Sequence, residues 1–333
     1  MTPARWDGML LSPWRWLLLP GWIAYRPLVS ARTAAYDRGL AKVWRAAVPV
    51  VSVGNVALGG TGKTPVVAWV VERLRAHGHR PAVVMRGYRG DGASNDEARM
   101  LGGAVVCDPD RVRGAFRAVA EGATCVVLDD GFQHRRLHRD LDLVLIDATR
   151  PWGGGAVLPL GLLRESLSAV RRADAVIITR SDQVDAGALA AIVGRLSAWG
   201  RPVLLARHAP VALTPLGGGT ARPPTALAGQ PVVLASGLGN PEGFERTARA
   251  LGWQVRAHAR FPDHHHYTAA EATALAALAS RQGATLVVTA KDAVKLTAFE
   301  LAAEVLSVAA GLDPAGESIL DRLLAQRCPL PTR

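Results

Sequence analysis

Leu58-Gly59-Gly60-Thr61-Gly62-Lys63-Thr64-Pro65 stands directly behind the apolar run Val48-Pro49-Val50-Val51-Ser52-Val53, an order that reads as strand, glycine loop, helix start. Glycines let successive backbone N–H groups turn inward around an anion, and the N-terminus of the following helix adds its positive end. At this spacing Lys63 reaches the β- and γ-phosphates of a nucleoside triphosphate, and Thr64 offers a hydroxyl to Mg²⁺. Gly59, Gly60, Thr61, Gly62, Lys63, Thr64 and Pro65 are therefore the expected nucleotide-binding residues. A strict G-x-x-x-x-G-K-[ST] has glycine where this chain has Ala57. A merely glycine-rich turn accounts for the glycines but not for Lys-Thr at the matching spacing.

A second signal is Val126-Val127-Leu128-Asp129-Asp130-Gly131, an apolar strand ending in two carboxylates. Such a strand tip beside a phosphate loop holds Mg²⁺ directly or through water, so Asp129 and Asp130 are the expected metal ligands. Phe132-Gln133-His134-Arg135-Arg136 follows on the same rim. Asp96-Glu97 is another acidic pair, read equally well as a helix N-terminus. Asp263-His264-His265-His266-Tyr267 gathers three histidines, but adjacent histidines diverge and no cysteine cluster accompanies them, which disfavours zinc. The segment fits a helix lead-in, with Thr268 as N-cap and Glu271 closing a capping box. Thr179-Arg180-Ser181-Asp182 is faintly similar to the guanine-reading N-K-x-D, with asparagine and lysine both replaced.

The elements that must position these residues alternate along the chain. Apolar runs at 48–53, 82–85, 104–106, 125–128, 143–146, 175–178 and 202–205 are separated by alanine-rich helical stretches. That is the pattern of a parallel sheet buried on both faces, with ligands at the carboxyl ends of its strands. Residues 207–231, rich in proline and glycine, read as a linker or a short irregular crossover. A second α/β segment follows, with strands at 232–234, 253–256 and 285–289 and helices near 241–251, 268–282 and 317–326. The expected fold is α/β, a P-loop NTPase-type parallel sheet flanked by helices with a smaller α/β domain. Its divisions are an N-terminal segment at 1–30, a P-loop domain at 31–206, the linker, and a C-terminal domain at 232–333 whose last helix packs back on the first.

In 333 residues, Lys+Arg number 39 against Asp+Glu 28, a net charge of +11 that favours an anionic partner. No nucleic-acid module is recognisable, and only 5% of residues are aromatic. Three scattered cysteines exclude a disulfide framework and fit a reducing compartment. The longest uncharged run near the N-terminus, Trp16 to Tyr25, is too short for a transmembrane helix, which needs about 20 residues. Leu10, Leu11, Trp14, Leu17, Leu18, Trp22 and Tyr25 share one arc of a helical wheel, broken or kinked at Pro20. This describes either an interfacial membrane segment or a helix packed on the protein's own core.

Ser52-Val53-Gly54-Asn55 with the loop, Arg86-Gly87-Tyr88, Asp96-Glu97, Asp129-Asp130-Gly131-Phe132-Gln133-His134, Leu163-Arg164-Glu165, Ala235-Ser236-Gly237-Leu238-Gly239-Asn240-Pro241, Phe261-Pro262-Asp263-His264 and Lys291-Asp292-Ala293-Val294-Lys295-Leu296 closely resemble the tetraacyldisaccharide 4′-kinase family of Gram-negative bacteria. The resemblance implies transfer of the γ-phosphoryl group of ATP, with Mg²⁺, to the 4′-hydroxyl of an acylated glucosamine disaccharide 1-phosphate. It places the chain at the cytoplasmic face of the inner membrane, docked by an amphipathic N-terminal helix on an anionic surface, with no nucleic-acid partner. By matching motifs, Lys63 holds phosphates, Thr64, Asp129 and Asp130 serve the metal with Glu97 and Glu165, and Arg111 and Arg164 contact substrate or the transferring phosphate. Asp96 becomes the base and His264 its partner, with His265 the alternative. Ser94-Asn95 replaces the valine or glycine common before the acids. The rival reading is a soluble P-loop kinase or ATP-dependent ligase acting on a small anionic substrate.

Overall fold

The computed structural model describes residues 13–87, 104–262 and 265–330. They divide into two compact units, one of residues 8–208 and 310–333 and one containing 209–309. The chain passes from the first to the second within one strand, Val203–Pro215, and returns within another, Glu304–Leu312.

In the larger unit the strands are β1 (Val50–Asn55), β2 (Pro81–Met85), β3 (Ala104–Cys107), β4 (Cys125–Asp129), β5 (Leu141–Asp147), β6 (Ala175–Thr179) and β7 (Val203–Pro215), in the order β3-β2-β4-β1-β5-β6-β7. Every pairing among them is parallel. The period of two along each strand feeds opposite faces. Val51 and Val53 of β1 pack with α2 (Lys63–Ala76) and with Leu320 and Leu324. Val50 joins Val84, Val126 and Leu128 on the other face, under Val112 and Ala115 of α3 (Arg111–Ala120). Farther along that sheet, Val176 and Ile178 pack with Ile192 and Leu196 of α4 (Ala186–Ser197). Asp110 caps α3 by accepting from the Val112 and Arg113 amides, and Asp185 caps α4, each contributing about 1 kcal/mol.

The smaller unit has β8 (Pro231–Ser236), β9 (Gln254–Arg260), β10 (Thr285–Thr289) and β11 (Glu304–Leu312), ordered β11-β10-β8-β9 and parallel. Between α5 (Pro241–Ala250) on one face and α6 (Ala269–Arg281) with α7 (Ala290–Leu296) on the other, its strands bury Val232 and Leu234 to one side and Val233 and Ala235 to the other. The capping box of Thr268 and Glu271 is formed. The last helix, α8 (Pro314–Arg327), lies in the larger unit.

Three features differ from the sequence reading. Residues 207–231 are strand as far as Pro215 and carry a short 3₁₀ turn at Pro224–Leu227 rather than forming a linker. Proline misleads here because extended backbone accepts it wherever no ladder N–H is required. Strand β11 has no counterpart among the expected strands, since Ser307 and Gly311 break its apolar residues into short runs. The N-terminal apolar segment is not one helix: a 3₁₀ helix, Pro13–Leu18, passes into α1 (Leu19–Asp37) beside Pro20. Pro20 sits in the first turn of α1, where a missing N–H is no loss, and Pro27 lies inside the helix. No residue of α1 is fully buried, and Trp16, Leu17, Ile23 and Leu28 are exposed. No helix among the described residues is long and apolar enough to cross a membrane.

Candidate active site

The site of the larger unit begins where β1 and β4 end side by side, with Val53 in register with Asp129. Two glycines make that approach possible. A Cβ on Gly54 would lie 2.7 Å from the Cβ and the backbone nitrogen of Phe132, and one on Gly131 would lie 2.6 Å from Leu128 Cβ. The loop after β1 turns through Gly59 at φ +114° and Gly62 at φ +74°. Gly62 is the N-cap of α2, so Lys63, Thr64 and Pro65 form its first turn. Asn55, fully buried, donates from Nδ2 to Thr61 Oγ1 at 2.7 Å and locks the loop to its strand.

Opposite the loop, Asp130 holds a left-handed backbone at φ +57°, a conformation non-glycine residues keep only where their surroundings enforce it. Its carboxylate accepts from Arg164 at 2.7 Å, and its other oxygen lies 3.6 Å from Lys63 Nζ. Burial raises the Asp130 carboxyl, yet Lys63 and Arg164 outweigh burial and hold it below the usual range. Arg164 also donates to Gln133 Oε1 at 3.3 Å, and its amide is fixed to Val56 O at 2.8 Å. Arg111, at the start of α3, is buried. It donates to the Asp108 carbonyl at 2.8 Å and to the Asp129 carbonyl at 3.5 Å. Burial lowers its pKa while the charges of Asp129 and Asp130 oppose the shift.

Lys63, Arg111, Asp129, Asp130 and Arg164 thus converge at the loop. Glu165 stands one step behind them, since Gln133 Nε2 donates to one of its oxygens at 2.9 Å and Arg172 to the other at 2.8 Å. Gln133, to which its sequence context assigns no role, also donates to Asn55 O at 2.9 Å. It is the hub that joins the β1 tip to Glu165 and Arg164. His134 is pushed down to about 4, first by burial and then by the Arg111 charge, so its imidazole is neutral at physiological pH. Helix α1 reaches the same rim: Tyr25 donates to Arg164 O at 3.4 Å and Arg32 to Gln133 O at 2.8 Å.

Asp96, Glu97 and His264 lie outside the described residues. In the smaller unit, next to His264 in sequence, His265 bonds Glu271 at 3.0 Å and stacks on Phe261 with ring centroids 4.8 Å apart. Asp292 is fully buried and accepts from Gly237 N at 3.0 Å, Tyr267 Oη at 2.9 Å and Thr289 Oγ1 at 2.6 Å. Burial raises its carboxyl against those donors.

The cations and carboxylates around a glycine loop suit a phosphoanhydride. Among the described residues no three His, Cys, Asp or Glu side chains converge as a protein-only metal cage. The chain instead offers two adjacent carboxylates and the Thr64 hydroxyl, hard oxygen donors of the kind Mg²⁺ takes together with phosphate oxygens.

The sequence profile of LpxK, tetraacyldisaccharide-1-P 4′-kinase, matches residues 14–328. A tetraacyldisaccharide 4′-kinase of Anaeromyxobacter sp. (strain Fw109-5) is 43% identical over 316 residues, covering 87% of this chain and 84% of that protein. One of Pseudomonas aeruginosa (strain LESB58) is 40% identical over 306 residues, 86% of each. The crystal structure of the "apo" form of LpxK from Aquifex aeolicus in complex with ATP superposes with a TM-score of 0.74 at 27% identity, covering 94% of this chain and 99% of that one. Agreement of this extent in sequence and fold makes the chain a member of the tetraacyldisaccharide-1-P 4′-kinase family.

Proposed function

We propose that the protein transfers the γ-phosphoryl group of ATP to the 4′-hydroxyl of a tetraacylated glucosamine disaccharide 1-phosphate, giving the 1,4′-bisphosphate and ADP. The observation that carries this reading is the convergence of Lys63, Arg111 and Arg164 on the Asp129-Asp130 tip at the phosphate loop. Phosphoryl transfer needs positioning and charge neutralisation more than covalent help. The loop amides and Lys63 bind the phosphates, and Asp130 keeps the Lys63 and Arg164 side chains apart and aimed. Thr64 and the Asp129-Asp130 carboxylates are the groups that would hold Mg²⁺, which would neutralise phosphate charge there; Glu165, accepting from Gln133 and Arg172, orients its neighbours.

The acceptor hydroxyl is a poor nucleophile and gives up its proton as it attacks. Asp96 takes that proton, the new bond forms between the sugar oxygen and γ-phosphorus, and the bond to the β,γ-bridging oxygen breaks, leaving ADP. By motif, His264 is assigned as the partner of Asp96 in a dyad. The engagement of His265 by Glu271 and Phe261 favours His264 for that role. Glu97 stands with the metal ligands. Exposed Ile23 and Leu28 on α1, and Trp16 and Leu17 in the 3₁₀ helix before it, support this segment lying on an anionic bilayer surface, on the cytoplasmic side where ATP is available. Phosphorus NMR of the product tests the regiochemistry. The expected spectrum has a second monoester resonance coupled to the proton at C4′ of the distal sugar. Phosphate on any other carbon, or on a soluble anion in place of the lipid, overturns it.

A further inference from the structure

In the Thr179-Arg180-Ser181-Asp182 segment, only faintly similar to a guanine-reading motif in sequence, the first two side chains turn toward the phosphate loop, while Ser181 donates to Ala206 O. Thr179, fully buried at the end of β6, donates from Oγ1 to Thr61 O at 2.9 Å. Arg180 follows in a left-handed conformation at φ +54°. One guanidinium nitrogen donates to Gly60 O at 2.9 Å, and the other is hydrogen-bonded to Asp147 Oδ2. Asp147, buried at the end of β5, is itself braced by the amide of Thr149 at 2.9 Å and its hydroxyl at 2.7 Å. Two successive loop carbonyls are thus gripped from behind by two successive residues of β6 and the turn after it.

Because a trans peptide is planar, the N–H of one residue points opposite to the carbonyl before it. Holding Thr61 O against Thr179 therefore directs the Gly62 N–H away from β6, toward the start of α2 where an anion is received. Arg180 fixes the preceding peptide. A glycine-rich loop without such a grip loses conformational freedom on binding, and that loss lowers affinity. We propose that Arg180, oriented by Asp147, is a positioning residue for nucleotide binding that holds the phosphate loop in its receiving shape before the nucleotide arrives. This rests on the reading that the loop binds ATP.

The test measures the dissociation constant for a non-hydrolysable MgATP analogue by calorimetry, with kcat and both KM values, in wild type, Lys63→Ala, Arg180→Ala, Arg180→Lys and Asp147→Asn. Loss of a charge-assisted contact predicts analogue binding weakened about ten- to a hundredfold in Arg180→Ala and less in Asp147→Asn. kcat at saturating ATP and KM for the lipid stay near wild type. Arg180→Lys keeps the charge but cannot bridge Gly60 O and Asp147 together, so it recovers only part of the affinity. Millimolar guanidinium ion restores binding to Arg180→Ala but not to Lys63→Ala. Full recovery in Arg180→Lys would reduce the role to bare charge and overturn the proposal. Unchanged affinity in a folded Arg180→Ala, or a fall of melting temperature and kcat together with a rise in both KM values, also overturns it. Wild type that binds no nucleotide overturns the parent reading and this proposal with it.

Discussion

Lys63 Nζ lies 3.6 Å from Asp130 Oδ1, and Asp130 is held at that place by its left-handed backbone and by Arg164 on its other oxygen. The carboxylate thus sets the positions of two cations that must meet phosphate charge. Asp130→Asn keeps the shape and removes the charge. Its expected effect is a fall in kcat of about 10²- to 10³-fold, the range seen when one preorganised electrostatic contact is lost, with a lower melting temperature because the fold favours the ionised carboxylate. Steady-state kinetics beside thermal scans check this. A fall in kcat below threefold would remove Asp130 from the charge arrangement.

The phosphate loop and the Asp129-Asp130 tip were legible because their residues carry their chemistry locally: glycines that permit positive φ, a lysine and a hydroxyl at fixed spacing, acids at the end of an apolar run. Strands of the buried sheet were legible for a related reason, since burial on both faces leaves unbroken apolar runs. What the sequence withheld depends on distance along the chain. Arg180 meets Gly60 across 120 residues, and Gln133 meets Asn55 across 78; nothing local in either segment encodes the meeting. Strand β11 is interrupted by polar and small residues, and β7 runs through prolines that read as a linker. Glu165 is given to the metal by motif alone, and its contacts with Gln133 and Arg172, 32 and 7 residues away, are not encoded beside it.

His265 and His264 are adjacent yet should behave oppositely. His264→Ala is expected to lower kcat about 10²-fold or more, within the span of general-base catalysis, and to leave thermal stability alone. His265→Ala removes the bond to Glu271 and the stack on Phe261. Its expected signature is a lower melting temperature with kcat within a fewfold of wild type. Paired kinetic and calorimetric measurements decide; the reverse assignment of effects would move the dyad to His265.

His134 makes stability depend on pH in one direction. Its pKa is lowered from 6.5 to about 4 by burial and by Arg111, so between those values the unfolded chain takes up a proton that the folded chain refuses. The contribution is complete above pH 6.5, declines as pH falls, and changes no further below about 4. Urea midpoints across this window should drop less steeply in His134→Gln than in wild type. Identical slopes would contradict the buried neutral imidazole.

Gly54→Ala tests the close approach of the β1 and β4 tips. Its Cβ would stand 2.7 Å from Phe132 Cβ and backbone nitrogen, a contact relieved only by moving backbone. Overpacking of this kind costs about 1–3 kcal/mol, and displacement of Phe132 carries Gln133 with it. Chemical denaturation should register the loss together with weaker nucleotide binding. An unaltered midpoint would mean that the two tips are looser than described.

Ile23 and Leu28 are exposed on α1, 58% and 69% respectively. Ile23→Asp combined with Leu28→Asp should weaken sedimentation with anionic vesicles about tenfold or more, given the apolar area withdrawn from the interface. Affinity for a soluble ATP analogue should stay unchanged. Equal vesicle binding in the double variant would return α1 to the role of a packing helix.

The central claim is tested most directly by transfer from γ-labelled ATP to a tetraacylated glucosamine disaccharide 1-phosphate in detergent micelles with Mg²⁺, with Lys63→Ala and Asp96→Ala run alongside. The account predicts labelled lipid with wild type and nearly none with either variant. Wild type that binds ATP but labels no lipid in any micelle, or variants that label it at the wild-type rate, would contradict it.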